Sequence, residues 1–408
     1  MTTETSRRRA MLAGGAALTA ALGGCGGGLG PSATHATTPT HKPTPASPTA
    51  TPIGDGSTSD TGPQPNQPVL PDLVPGVAPP QFVVISWDGG GETDAALLTR
   101  FRAVAREIGA SMTIFLSGLY TLRGVDAKDY RPPRNGVGRS DIPFLSDASV
   151  RRTIEGIGQA WLEGNEIGTH FNGHFCGGSG SVANWSPDDW RSEIDQAIWM
   201  VTHWRSTTGW ADVPSLPFDY RTELIGGRTP CLLGQQGLIP TAATLGWRYD
   251  SSTGGRQVWP RLFDGTQVWN IPMSIVPFPG HTFEVIAMDY NYMANQSGPQ
   301  PAKDPRHWVK WGKEARAALL AGHERALTGN RAPLIIGNHF EQWNGGVYMD
   351  AVEQAMRTMA AAPDTHLVSF KQLVRWLDRQ DPILLKSLQA LDVGAAPAGG
   401  WSAFGVGG

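Results

Sequence analysis

Cysteine, charge and long apolar runs are all scarce in this chain. Only three of the 408 residues are cysteine, and charged side chains make up 17% of the total. The formal net charge of −3 provides no basic footprint for nucleic acid, so no nucleic-acid partner is expected. The apolar run from Met11 to Leu22 is shorter than the ~20 residues that cross a bilayer. This run therefore does not predict a spanning helix.

A cationic cluster, a short apolar run and small residues instead open the chain. Ser6-Arg7-Arg8-Arg9 is followed by the apolar run and then by Leu22-Gly23-Gly24-Cys25. This order is typical of a signal peptide. The arginines resemble a twin-arginine export signal. The sequence Leu-Gly-Gly-Cys that ends at Cys25 resembles a lipobox. We predict a signal peptide over residues 1–25 and an exported lipoprotein, anchored through Cys25 to the outer face of the cytoplasmic membrane. The alternative is a cleaved signal with a chance cysteine.

The segment that follows has few charged or bulky apolar side chains. Residues 26–79 are rich in Thr, Pro and Gly, and such a composition buries too little apolar surface to offset the entropy of ordering. We predict a disordered tether there. The two remaining cysteines, Cys176 and Cys231, are compatible with a disulfide in an exported protein. They are equally compatible with two unpaired, buried small residues.

From residue 81 onward, strand-like and helix-like patterns alternate. Phe82–Ser86 is predicted as a buried strand, Thr93–Ile108 as an amphipathic helix and Ser111–Leu116 as the next strand. Alternation of this kind over ~300 residues predicts a parallel sheet covered by helices, either open or closed as a barrel. We predict an α/β fold with one domain over residues 80–380 and a C-terminal tail over 381–408.

Polar residues follow several of these predicted strands, at the edge where α/β folds place their functional groups. They are Asp88, the pair His170 and His174, Arg228, and His339. Two histidines four residues apart can share a divalent metal. The spacing alone is weak evidence, because a catalytic metal also needs a third ligand, an open position and a nearby base.

The order of these motifs resembles a known family. The motif Thr-Phe-Asp-Asp-Gly is matched by Ser86–Gly90, and Gly-His-Glu-Ile-x-x-His-x-x-x-His by Gly164–His174. Arg228-Thr229-Pro230 matches an Arg-x-Pro motif, and His339 ends an apolar strand. The family is that of the polysaccharide deacetylases with the NodB-homology domain, carbohydrate esterase family 4. Further matches resemble its chitin-deacetylase branch, over Ser186–Ile194 and Tyr249–Ser252.

The resemblance covers residues 81–378 and implies a deformed (β/α) barrel. It also implies a hydrolase of non-peptide carbon–nitrogen bonds that removes acetyl groups from N-acetylated sugars of an extracellular or cell-wall polysaccharide. By this resemblance His170 and His174 bind a divalent metal, for which Zn²⁺ is expected. Asp88 is the general base, His339 is the general acid for the leaving amine, and Arg228 orients the base. A polysaccharide partner and a monomeric chain are expected.

One family residue is missing, because Gly89 stands where the second aspartate, a metal ligand, is expected. Three interpretations stay open: a metal held by the histidines with Asp88 or a substitute carboxylate, a glycan-binding cleft without metal, or a hydrolase of a non-sugar amide. The candidate substitutes are Glu92 and Glu341, and for Glu92 the alternative is a role in the first turn of the next helix. Trp87 and Trp343 are candidate substrate-binding platforms, although most of the tryptophans are expected in the core.

Overall fold

The computed structural model describes residues 50–406. The predicted signal peptide, Cys25 and residues 26–49 of the predicted tether lie outside these residues. The strands are β1 (Thr51–Ile53), β2 (Thr58–Asp60), β3 (Gln81–Gly89), β4 (Thr113–Leu116), β5 (Glu166–Thr169), β6 (Gly226–Gly227), β7 (Tyr249–Asp250), β8 (Gly254–Gly255), β9 (Arg261–Leu262), β10 (Trp269–Asn270), β11 (Met273–Pro277), β12 (Glu284–Ile286), β13 (Leu334–His339) and β14 (Thr365–Val368).

The helices cover both faces of the sheet or connect its strands. They are α1 (Leu97–Ile108), α2 (Asp147–Leu162), α3 (Pro187–Thr208), α4 (Tyr220–Glu223), α5 (Gln235–Thr244), α6 (Asp289–Gln296), α7 (Trp308–Thr328), α8 (Trp343–Ala360), α9 (Phe370–Leu377) and α10 (Pro382–Gln389). Within residues 50–406, no helix combines the length and the apolarity that a membrane crossing requires.

One large sheet organises the domain, in the order β13-β3-β4-β5-β6-β7-β10-β9. All neighbours in this order pair in parallel, except the antiparallel pair of β10 and β9. Strand β3 is buried along nearly its whole length. Its first half pairs with β14 and its second half with β4. The predicted α/β fold, a single domain with a deformed (β/α) barrel, is confirmed.

Local sequence signals account for several helix boundaries. Ser186 caps α3 in a capping box with Asp189, and Pro187 occupies the first helical position, as expected for this residue pattern. Helix α1 begins at Leu97 and not at Thr93, because Ala96 takes a left-handed conformation (φ 51°) just before it. Its apolar face, Leu97, Leu98, Phe101, Val104 and Ala105, is buried as predicted.

The chain on both sides of the predicted domain is folded, which corrects two boundaries. Strands β1 and β2 form a hairpin whose Ser57 carbonyl oxygen accepts a hydrogen bond from Trp204 Nε1 (2.9 Å). Leu70 is buried, so residues 50–79 pack on the domain and are not a free tether. The predicted tail forms α10, in which Leu388 is buried. The composition of these two segments did not predict the contacts, because the contacts depend on single side chains and on backbone hydrogen bonds.

Candidate active site

The parallel strands bring the five predicted site residues to one edge of the sheet. Asp88 and His339 are register partners on neighbouring strands β3 and β13. His170 follows β5 directly, and Arg228 follows β6. Two adjoining cavities of about 360 and 480 Å³ share Asp88, His170, His174 and His339 in their walls. The structure therefore places four of the five residues around one cleft, with Arg228 buried beneath it.

The carboxylate of Asp88 is held by Arg228. Arg228 Nη1 donates to Asp88 Oδ1 (2.9 Å) and to Ser86 Oγ (2.8 Å), and Nη2 donates to Ser251 Oγ (2.9 Å). Both side chains of the ion pair are almost fully buried. Burial by itself would raise the pKa of Asp88, but the charge of Arg228, with smaller effects of His170 and His339, lowers it below its usual value. Asp88 is thus an oriented anion whose other oxygen remains for the cleft.

His170 is a buried, neutral imidazole with one nitrogen unused. Its Nδ1 lies 2.8 Å from the carbonyl oxygen of Arg228, so Nδ1 carries the proton and donates it. Burial lowers the pKa of His170 to about 3. Its Nε2 is buried and has no hydrogen-bond partner among residues 50–406. A carbonyl that fixes the tautomer and leaves a free lone pair is the usual environment of a metal-binding histidine.

His174 provides the second imidazole. Its ring centroid lies 5.2 Å from that of His170, and its backbone is left-handed (φ 58°). Burial, and then the charge of His339, lower the pKa of His174. Both rings are therefore neutral near neutral pH, as metal binding requires.

These residues fit a divalent cation through two imidazoles but do not complete a three-ligand set. In the described part of the chain, the ligand atoms of Asp88, His170 and His174 do not all lie within 4.8 Å of one another. Gly89, the residue in place of the family's second aspartate, adopts φ +90°, and a Cβ there would lie 3.2 Å from Tyr120 Cε2. The backbone at this position thus favours glycine.

His339 is paired with a carboxylate that the sequence analysis missed. The backbone N–H of His339 donates to Asp289 Oδ2 (2.7 Å), and its Nδ1 donates to Asp289 Oδ1 (2.9 Å). Burial would lower the pKa of His339, but Asp289, helped by Asp88 and Glu341, raises it to about 9. A signal was present, since Val285-Ile286-Ala287-Met288-Asp289 is an apolar run ending on a carboxylate, like the run before Asp88. Met288 indeed forms a parallel bridge to Gly337 of β13.

Glu92 does not serve as the substitute carboxylate. Its Oε2 accepts hydrogen bonds from the backbone N–H (2.8 Å) and the hydroxyl (2.7 Å) of Thr99 in the first turn of α1. The alternative interpretation, a role at the start of this helix, is the one that the structure favours. Glu341 does line the smaller cavity, but it is exposed at its mouth. Burial raises the pKa of Glu341, an effect that the nearby charge of His339 opposes.

The two tryptophan candidates have different positions. Trp87 is fully buried, stacks on Phe340 (ring centroids 4.5 Å apart) and donates through Nε1 to Met112 Sδ. It therefore belongs to the core, and its predicted role in substrate binding is wrong. Trp343 is half-buried, lines the smaller cavity and packs edge-on against Tyr290, at 5.8 Å between ring centroids. These two rings form an aromatic rim at the cleft.

Cys176 and Cys231 form a disulfide, with Cα atoms 5.9 Å apart. Cys176 follows His174 by two residues, and Cys231 follows Arg228 by three. The bond therefore joins the two loops that carry these side chains. Both cysteines also line the larger cavity.

No family model matches the sequence, and no curated protein matches it. The chain is similar to polysaccharide deacetylases. A structure described as a polysaccharide deacetylase from Mycobacterium smegmatis is 15% identical, and the match covers 77% of this chain and 97% of that one with a TM-score of 0.47. A peptidoglycan deacetylase from Bacillus subtilis is 10% identical over 74% and 93% of the two chains, with a TM-score of 0.35.

A family 4 carbohydrate esterase from Streptococcus mutans is 13% identical over 71% of this chain and 86% of its own, with a TM-score of 0.39. The chitin-deacetylase branch stays a prediction.

Proposed function

We propose that this protein is a hydrolase that removes acetyl groups from N-acetylated sugars of a cell-envelope polysaccharide. The observation that carries the proposal is the pairing of two opposite charges across the cleft. Asp88 has a lowered pKa and is an anion at neutral pH, while His339 has a raised pKa and is a cation. Hydrolysis of an amide needs a base for the attacking water and an acid for the departing amine.

In this mechanism each residue has one task. Asp88, oriented by Arg228, takes a proton from the attacking water. His339, held by Asp289 through Nδ1, presents Nε2 to the leaving nitrogen and protonates it. His170 and His174 would hold a divalent cation, with Zn²⁺ the expected ion. When bound, such a cation acts as a Lewis acid toward the acetyl carbonyl.

The rim of the cleft supports a sugar substrate. Tyr290 is 40% exposed, and with Trp343 it presents aromatic surface beside His339. Aromatic faces and edges pack well on the apolar surface of a sugar ring. We expect these two rings to bind the sugar next to the N-acetyl group that is hydrolysed.

The missing third ligand favours a second candidate function, glycan binding without turnover. Two neutral imidazoles leave the charge of a divalent cation uncompensated, so the cation is held weakly. If the cation is not retained, the cleft keeps its aromatic rim and its charges but lacks the Lewis acid.

Acetate release from chitooligosaccharides and peptidoglycan tests the proposal. We expect the full chain with added Zn²⁺ to release acetate, and both His339→Gln and treatment with a chelator to abolish the release. His307→Gln is the matched control, since His307 is exposed in the connection before α7. If the wild type binds these glycans but releases no acetate with Zn²⁺, Mn²⁺ or Co²⁺, the binding function is the correct one.

For the whole protein we propose attachment to the outer face of the cytoplasmic membrane through lipidated Cys25. The support is the order of arginines, apolar run and Leu-Gly-Gly-Cys in the sequence. A single acyl chain binds a membrane only marginally, so the stable anchor requires more than one chain.

A further inference from the structure

The disulfide Cys176–Cys231 lies in the wall of the cleft. Both cysteines line the larger cavity together with Asp88, His170 and His174. Cys176 is half-buried and Cys231 is exposed. A reductant that enters the cleft can therefore reach the bond.

The imidazole of His174 lies beside this disulfide. Cys176 Sγ is 3.4 Å and Cys231 Sγ is 4.0 Å from Nδ1 of His174. The one imidazole nitrogen and the two sulfurs all lie within 4.8 Å of one another. In the disulfide the two sulfurs are bonded to each other and cannot both bind an ion. Once that bond is broken, their side chains are close enough to His174 to take ligand positions around a single ion, with Zn–S and Zn–N bonds of about 2.3 and 2.1 Å.

The charge of this group depends on its oxidation state. The sulfurs of a disulfide are neutral and are poor ligands, whereas two thiolates bring two negative charges and bind Zn²⁺ strongly. The two thiolates would balance the charge of a divalent cation. The pair His170 and His174 lacks such compensation because Gly89 replaces a carboxylate.

We propose that reduction by a dithiol converts this part of the cleft into a site for a thiophilic divalent cation, held by His174, Cys176 and Cys231. The dithiol gives up two electrons and two protons and closes to its own disulfide. The Cys176–Cys231 bond breaks, and its sulfurs take up those electrons and protons as two thiols. Binding of the cation then displaces the two thiol protons. This site does not depend on the proposed hydrolase activity.

Co²⁺ binding to the full chain tests the proposal, because cobalt reports thiolate ligands through a charge-transfer band in the near ultraviolet. The protein is reduced with dithiothreitol, freed of it under argon and titrated with CoCl₂. We expect a saturating band at one Co²⁺ per chain, which one equivalent of Zn²⁺ removes. The unreduced protein should show no such band.

Variants separate this site from the imidazole pair. Cys231→Ser and His174→Ala should each weaken Co²⁺ binding in the reduced protein by about tenfold or more. His170→Ala should keep the band, although it removes one imidazole of the proposed hydrolase site. Cys25→Ser is the matched cysteine control and should also keep it, since it removes the other cysteine of the chain.

Two results would overturn the proposal. One is a reduced, folded protein without the band, or an affinity for Co²⁺ that is unchanged in Cys231→Ser. The other is unfolding of Cys176→Ser/Cys231→Ser, seen by circular dichroism, because it would show that no folded reduced site exists. Failure of acetate release in the wild type would leave the site intact and would concern only the proposed hydrolase.

Discussion

Replacing Asp289 by asparagine should lower the pKa of His339, which the structure places at about 9. The asparagine side chain would keep an oxygen acceptor for the imidazole Nδ1–H but would carry no charge. Asp289 is buried and accepts both hydrogen bonds that His339 offers it, from the backbone N–H and from Nδ1. It is the largest influence that raises this pKa, ahead of Asp88 and Glu341.

The magnitude follows from the size of the perturbation. A rise from the ordinary 6.5 to about 9 corresponds to about 3 kcal/mol in favour of the imidazolium. Loss of an opposite charge in direct contact changes a pKa by about 1–3, so Asp289→Asn should bring the pKa of His339 to roughly 6–8. Since the folded pKa is the higher one, protonated His339 stabilises the wild type below about pH 6.5. This stabilisation is lost as the pH rises through about 9.

The assay is an NMR titration of the His339 Cε1–H resonance, assigned by its loss in His339→Gln. It needs no substrate and is made without added metal. The kcat/KM for acetate release should show the same change, with its alkaline limb displaced to lower pH. Asp378→Asn is the control, since Asp378 pairs with Arg248 on the surface. A pKa of His339 that stays near 9 in Asp289→Asn would refute the argument and assign the charge effect to Asp88 and Glu341.

Three further changes each test the role of a single residue. Gly89→Asp should lower the free energy of unfolding in urea by about 1–3 kcal/mol, because Gly89 has φ +90° and little room beside Tyr120. The control is Gly177→Asp, which should leave the free energy of unfolding unchanged because Gly177 lies in open space at an ordinary φ. Glu92→Gln should cost about 1 kcal/mol of stability through the start of α1 and leave Zn²⁺ content unchanged, contrary to a role as ligand. Cys25→Ser should move the protein from the membrane fraction to the soluble fraction, and a variant that stayed in the membrane would contradict lipid anchoring.

The strand-end residues could be predicted because their signal is local. An apolar run that ends on a polar residue predicts both the strand and the edge at which the side chain lies, as for Asp88 and His339. The same rule applies to Asp289, which ends the apolar run Val285–Met288. The pairing of Asp289 with His339 spans 50 residues and is not visible in either segment alone.

Other features depended on contacts that no local pattern encodes. The sequence allowed two roles for Glu92, as a metal ligand or as a residue at the start of the next helix. The hydrogen bond that the hydroxyl of Thr99 donates to Glu92 favours the second role. The order of residues 50–79 was missed because composition averages over a segment, whereas Leu70 and the Ser57 carbonyl each find a partner on the folded domain. The disulfide depended on the separation of two loops that are 55 residues apart along the chain.

Asp88→Asn addresses the question that Gly89 leaves, which is whether a single carboxylate acts as base or as metal ligand. Arg228 already uses Oδ1 of Asp88, and a carboxylate that also bound a cation would keep little affinity for a proton. We therefore expect the base role, with His170 and His174 as the protein ligands. The amide oxygen of the asparagine would still accept from Arg228, which also keeps its bonds to Ser86 and Ser251. Zn²⁺ content at saturation should be preserved while acetate release falls by about 10²–10⁴-fold, the usual contribution of a general base. If Zn²⁺ binding is lost together with activity in a variant whose circular dichroism is unchanged, Asp88 is a ligand and another group must deprotonate the water.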